Sequence, residues 1–240
     1  MANKRIVLVT GASKGIGRAA ALALAEAGNH VVAVARSEDA LTALDDEARA
    51  KTGEAMTLVP LDLKDSASID RLAAALLDRF GRLDGLLGNA GVLGTIGPLQ
   101  TLSPSSFEET INVNLNANWR LIRALDPLLR TSPAGRAVFV SSGASVRPRA
   151  FWGAYAASKA GLDAMIASYA DETAATTLRV NLFDPGATRT DMRFRAMPGE
   201  NPETLPTPEA VASVLPEYLS ETCKAHGERI VYRDLARKDV

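Results

Sequence analysis

The sequence predicts an α/β protein: a doubly wound parallel sheet of about seven strands, flanked by helices. Three observations predict it. Short Val/Ile/Leu runs alternate with longer Ala- and Leu-rich stretches of helical period. The short runs are continuously apolar, as strands covered on both faces must be. A glycine-bearing turn joins the first run to the first helical stretch. Right-handed crossovers between such units then wind the sheet in both directions.

The elements follow in order. Residues 5–10 read as the first strand and 16–27 as a helix that stops at Gly28-Asn29. Residues 30–35 (HVVAVA) are a second strand, 38–50 a helix and 55–60 a third strand. Residues 66–80 are a helix with Ser66 as its cap and Gly81 as its stop, followed by a fourth strand over 83–88. Residues 103–130 hold one or two helices opened by the cap pair Ser103-Pro104. A strand over 136–141, a long Ala-rich helix over 153–173, a strand over 178–183, a helix over 208–220 and a last strand over 229–232 complete the pattern. Residues 188–207 contain three prolines, a glycine and several charges, and read as an irregular substrate loop or lid.

Composition narrows the function without naming it. The 240 residues suit a single domain over 1–240. With 27 Lys+Arg against 28 Asp+Glu, the net charge of −1 gives no reason to expect a nucleic-acid or anionic-membrane surface. One cysteine permits no intrachain disulfide, and two dispersed histidines form no metal cluster. The N-terminal apolar run is about five residues, too short for a signal-peptide core or a membrane span. The expectation is a soluble, cytoplasmic protein without a metal.

Residues 10–17 read TGASKGIG between strand and helix, the context a dinucleotide site requires. Gly11 allows a tight turn, Gly15 lets the backbone approach a pyrophosphate, and Gly17 permits close packing of the helix. Ser13 and Ile16 share the turn, and the helix N-terminus offers unpaired N–H groups to an anion. A glycine turn that binds nothing is the bland alternative. An acid at the end of the second strand would hold the ribose 2′-hydroxyl of NAD, whereas a nearby Arg accommodates a 2′-phosphate. Here Ala35 is followed by Arg36, and Lys14 lies in the turn. Two cations and no acid favour NADP(H), with NAD(H) and solvated surface charge as the alternatives.

Tyr155 and Lys159, in YAASK, are spaced to share one helix face. Reduction of a carbonyl builds negative charge on its oxygen, and an acid must then supply a proton. A free phenol titrates near pH ~10, and an ammonium about 4 Å away is worth at most roughly 4 kcal/mol at an effective dielectric of about 20. Tyr155 is thus the candidate acid in reduction and base in oxidation, with its pKa lowered by Lys159.

The glycine spacing, the YxxxK pair and the chain length together resemble the short-chain dehydrogenase/reductase family, whose fold is Rossmann-type. The resemblance runs from about residue 4 to 192. It implies that Ser142 hydrogen-bonds the substrate oxygen. It also implies that Asn114, in INVNLNANW, holds a water relaying protons to Lys159, and that Lys159 binds the nicotinamide ribose. It implies cofactor contacts from Asp62-Leu63 near the adenine, from Asn89, Ala90 and Gly91 of GNAG, and from Pro185-Gly186 with Thr188 and Thr190. The family usually has NNAG, so one Asn is replaced by Gly88. The stretches GNAGVLGTIGPL and WGAYAASKAGLDAM look like a bacterial branch of YciK-type oxidoreductases.

The resemblance further implies a homodimer or homotetramer, assembled through helices at 104–130 and 153–174. The C-terminal GERIVYRDLARKDV lacks the glycine-rich tail that many reductases of the family carry. The activity implied is hydride transfer between NADP(H) and a small-molecule carbonyl or secondary alcohol. Two alternatives stand beside it: a 3-oxoacyl thioester reductase, and a non-catalytic NADP(H)-sensing binding protein. Arg147, Arg149, Arg189, Arg193 and Arg195 flank the expected pocket and read either as a lid for an anionic substrate or as solvated loop charge. Phe151, Trp152, Met192 and Phe194 read as an apolar wall or as ordinary packing.

Overall fold

A computed structural model describes residues 4–236. All seven strands are parallel, in the order β3-β2-β1-β4-β5-β6-β7. The first half comprises β1 (Ile6–Thr10), α1 (Gly15–Glu26), β2 (His30–Ala35), α2 (Glu38–Thr52), β3 (Thr57–Pro60), α3 (Ser66–Phe80) and β4 (Gly85–Gly88). The second comprises α4 (Pro104–Ile111), α5 (Ala117–Thr131), β5 (Arg136–Val140), α6 (Gly153–Thr173), β6 (Arg179–Asp184), α7 (Asp191–Ala196), α8 (Pro208–Ala212), α9 (Leu215–Tyr218), β7 (Arg229–Val231) and α10 (Tyr232–Leu235). The expected doubly wound sheet is therefore present. The winding reverses between β1 and β4, where open α/β sheets bind ligands.

Both faces of the sheet are buried. Ile6 and Leu8 of β1, with Val32 and Val34 of β2, face α3, α5 and α6. Val7 and Val9, with Val31 and Ala33, face α1, α2, α8 and α9. The two-residue period of a strand thus feeds two separate apolar layers, which is why the runs are continuous in sequence.

Local differences from expectation have local causes. The cap of α3 is Asp65, not Ser66; its Oδ1 accepts from Ala67 N at 3.0 Å and Ser68 N at 3.3 Å. Ser103 caps α4 as expected, accepting from Ser106 N at 3.2 Å. The helix expected over 208–220 divides into α8 and α9, because Pro216 has no N–H to carry a helix through. Residues 188–207 are not irregular throughout: α7 forms inside them, with the Thr190 hydroxyl accepting from Arg193 N at 3.2 Å. Of the C-terminal segment, residues 237–240 lie outside the described residues.

The glycine turn is held against the loop after β4. The Thr10 hydroxyl donates to Leu87 O at 3.2 Å and accepts from Asn89 N and Ala90 N, both at 3.0 Å. Asn89 Nδ2 donates to Thr10 O at 2.9 Å and Gly11 O at 3.4 Å. A Cβ on Gly17 would overlap both Asn89 Nδ2 and Gly11 O. The close approach that requires this glycine is thus to the turn and the β4 loop, rather than to a strand as its position suggested. Gly17→Ala is expected to lower stability by about 1–3 kcal/mol, read as a lower urea midpoint at unchanged slope. Gly199→Ala, with open space around it, is expected to stay within about 0.5 kcal/mol of the parent.

Candidate active site

The C-terminal ends of the central strands border one cavity of about 850 Å³. Its wall includes Gly11, Ser13, Lys14, Gly15, Ile16, Arg36, Asp62, Leu63, Asn89, Ala90, Gly91, Ser142, Tyr155, Lys159, Pro185, Gly186, Thr188 and Thr190. Of the expected site residues, only Gly17 and Asn114 lie behind this wall. Gly17 is packed under the turn, and Asn114 is fully buried.

The outer part of the cavity fits a dinucleotide. Gly11 and Gly15 have φ of 67° and 55°, which a residue with a Cβ rarely adopts. Lys14 precedes α1 in extended conformation, and no side chain caps the helix, so its first N–H groups remain available to an anion. A Cβ on Gly91 would lie 3.3 Å from Asn114 Oδ1 and 3.6 Å from Lys159 Nζ. Its absence keeps the cavity open down to Lys159. Arg36, just beyond the buried end of β2, and Lys14, in the glycine turn, are both exposed and both border the cavity. Asp62 turns its Oδ1 onto Lys64 N at 2.9 Å.

The inner part gathers the Tyr, Lys and Ser. The Ser142 hydroxyl lies near enough to the Tyr155 phenol to draw its pKa down, and it also accepts from Ala144 N at 3.2 Å. Lys159 is 3% exposed, and its Nζ donates to Val140 O at 2.7 Å, 6.0 Å from the centre of the Tyr155 ring. Burial draws the Lys159 ammonium down to about 8, opposed by Asp163 and Asp184. The expected lowering of Tyr155 by Lys159 is not found in the chain by itself. Burial pushes the phenol up, the Ser142 hydroxyl draws it down, and Asp184 pushes it up again. The ammonium is turned toward the carbonyl of Val140, so its charge is not aimed at the phenol oxygen.

Asn114 sits in a wide helical turn, Asn112–Asn116, between α4 and α5. Its Oδ1 accepts from Val92 N at 2.8 Å, while Nδ2 donates to Val92 O and Ser158 Oγ, both at 2.9 Å. Both amide protons are therefore engaged by the protein, and a single Oδ1 lone pair remains for a water. Asn118 Nδ2 donates to Asn114 O at 2.8 Å. The Asn118 side chain also accounts for the GNAG variant: a Cβ on Gly88 would lie 2.7 Å from Asn118 Oδ1 and 2.5 Å from the Phe139 ring.

Sequence reasoning missed the charge network behind Ser142. Arg229, on the edge strand β7, donates to Ser142 O and to Asp184 Oδ2, both at 2.8 Å, and to Ser145 Oγ at 3.1 Å. It also pairs closely with Asp163, which in turn binds Ser141 and Ser145. One guanidinium thus joins β6, β7, α6 and the segment after β5. The visible signal was Asp184, a charge ending an apolar strand directly before Pro185-Gly186. Among the described residues no group of His, Cys, Asp and Glu could hold a metal, and no helix is long and apolar enough to cross a membrane.

Comparison with known proteins agrees with this geometry. The family model described as short chain dehydrogenase matches residues 5–201. The oxidoreductase YciK of Escherichia coli K12 is 43% identical over 219 residues, covering 90% of this chain and 85% of YciK. A short chain dehydrogenase from Shigella flexneri 2a strain 301, complexed with NADP, superposes with a TM-score of 0.92 at 38% identity, covering 95% of this chain and 97% of its own. One from Escherichia coli CFT073, complexed with NADPH, gives 0.92 at 39% identity, covering 95% and 96%. The chain belongs to the short-chain dehydrogenase/reductase family.

Proposed function

We propose that the chain binds NADP(H) and interconverts a carbonyl compound and a secondary alcohol, with Tyr155 as the acid and base. The observation that carries this reading is the grouping of Tyr155, Ser142 and buried Lys159 on the wall of the cavity that begins in the glycine turn. Arg36 and Lys14 support a 2′-phosphate at the mouth, and relatives complexed with NADP and NADPH support the same cofactor. Residues 188–207 form the lid, and residues 1–240 act as one domain. A homodimer or homotetramer through 104–130 and 153–174 accords with exposed Phe107 and Trp119 on that side.

When bound, the nicotinamide supplies or takes up the hydride. The Ser142 hydroxyl and the Tyr155 phenol point at one substrate oxygen, where charge develops. In reduction Tyr155 passes its proton to that oxygen; in oxidation it removes it. Lys159 is held as a buried cation by a carbonyl rather than a carboxylate, so its charge is not cancelled locally. With cofactor bound, it would hold the nicotinamide ribose hydroxyls. A sensor would have no use for this grouping, which counts against a purely binding role.

Tyr155→Phe is expected to lower turnover by about 10²–10⁴-fold while leaving NADPH affinity unchanged by fluorescence titration. Retained turnover would remove Tyr155 from its role. Arg36→Asp is expected to weaken NADPH binding by about 10–100-fold and to improve relative use of NADH; an unchanged NADPH affinity would return the question of cofactor to NAD(H). The phenol faces Lys159 on α6, Asp184 on β6 and, one layer back, Asp163 and Arg229. Removing a negative charge lowers its pKa, and removing a positive one raises it. In alcohol oxidation, the ascending limb of kcat/KM should therefore move to lower pH in Asp184→Asn and to higher pH in Arg229→Gln.

A further inference from the structure

Around the Tyr155 ring the cavity is apolar. Leu93, Ala144 and Ala156 form a buried cluster with the ring, and Ile96, Trp152 and Met192 pack against it. The Trp152 and Tyr155 rings meet edge to face, with centres 5.9 Å apart and planes at 78°. Such a wall recognises a ligand by burying its apolar surface, while the Tyr155 and Ser142 hydroxyls orient one oxygen.

Trp152 is held in place by strain that its neighbours oppose. Phe151 has φ of 72°, alone among the described non-glycine residues. Left-handed backbone is costly for a residue with a bulky side chain, and it persists where the surroundings enforce it. Here the Phe151 carbonyl accepts from Gly97 N at 3.0 Å, and the Trp152 carbonyl accepts from Ala156 N at 2.8 Å in the first turn of α6. The strained residue aims the next side chain into the pocket, and both flanking peptides are tied.

The lid arginines are already neutralised from within the lid. Arg193 forks onto Glu200, through Nε at 2.5 Å and Nη2 at 2.6 Å. This bidentate pair is mostly shielded, at 19% and 27% side-chain exposure. Arg189 binds Glu203 at 3.2 Å and Leu205 O at 3.4 Å. Arg195 stands exposed at the cavity, but Asp191 and Glu109 border the same space. Arg147 and Arg149, in the segment before α6, are exposed as well, and Arg149 faces the same Glu200 that Arg193 binds.

Resting on the carbonyl-reductase reading, we infer that the substrate is a neutral ketone whose aromatic or bulky apolar group lies against Trp152 and Met192. The single apolar wall, the enforced placement of Trp152 and the internal pairing of Arg193 with Glu200 all act toward the same class.

The test uses the full chain with NADPH and a matched set: acetophenone, 4-acetylbenzoate, 3-oxobutanoyl-coenzyme A and butanone. Acetophenone is expected to exceed both anionic compounds in kcat/KM by about tenfold or more. Trp152→Ala should raise KM for acetophenone by about tenfold, and by more than it raises KM for butanone. Glu200→Gln, which unpairs Arg193, should narrow the gap between acetophenone and 4-acetylbenzoate. Binding is read separately as quenching of Trp152 emission in a Trp119→Phe background, where acetophenone should titrate at lower concentration than 4-acetylbenzoate. Parity or preference for either anion, or an unchanged acetophenone KM in Trp152→Ala, overturns the inference. If the protein binds NADPH but turns over none of the four, the reductase reading fails, and the quenching titration still decides which class the pocket prefers.

Discussion

The site depends on how closely two backbone segments approach across the β1–β4 seam. Each segment leaves its strand at the switch in winding, and each brings polar groups that have no partner in the sheet. The buried Thr10 hydroxyl and the Asn89 amide satisfy those groups in both directions. A network of this kind stabilises only when every member is paired, so there is no tolerance for a side chain wedged into it. Gly11 and Gly17 follow from that constraint: a Cβ on Gly11 would lie 2.9 Å from Asn89 Nδ2. The turn is therefore shaped by the contact beneath it before any phosphate arrives. Crowding has the same result one position before Asn89, where Asn118 and Phe139 fill the space and residue 88 must be glycine.

Below the turn, the problem is how to keep a cation buried without cancelling it. A carboxylate in direct contact would fix the charge of Lys159 and also screen it from its surroundings. The structure instead gives Nζ the carbonyl of Val140 and places Asp163 and Asp184 a layer behind. Asp184 adds to burial in holding the phenol protonated. Arg229 binds both carboxylates, and it also fixes the main chain of Ser142. Electrostatic balance around Tyr155 and the geometry of Ser142 thus converge on one side chain from the edge strand.

What the sequence makes legible is what repeats locally or occupies a fixed spacing. The strands appear as Val/Ile/Leu runs because both faces of the sheet are buried, and the glycine turn and the Tyr155/Lys159 pair appear because each lies within one turn or helix. Long-range pairings leave no such trace. Nothing near Ser142 points to Arg229, and nothing near Asn114 points to Ser158 as its partner. The upward push on Tyr155 was also hidden, since it comes from burial and from Asp184 on another strand, not from spacing. Ser66 and Asp65 are both competent caps, and only the backbone bonds to Ala67 and Ser68 distinguish them. The helix in the lid was masked by the prolines beyond it, although residues 190–196 contain none.

That lid links the two halves of the cavity. It is closed at its base by Arg189 N, which donates to Pro206 O at 2.9 Å, and across its middle by Arg193 and Glu200. Thr190 serves both ends: its hydroxyl caps α7, and its methyl lies where a Cβ on Gly15 would touch at 3.4 Å. Met192 then follows on the first turn of α7, over the Tyr155 cluster. The ion pairs that order this segment engage Arg189 and Arg193 from within it, while Arg195 stays exposed on the cavity wall. Order here therefore comes from the segment's own charges, and its apolar contact with the Tyr155 cluster comes from Met192.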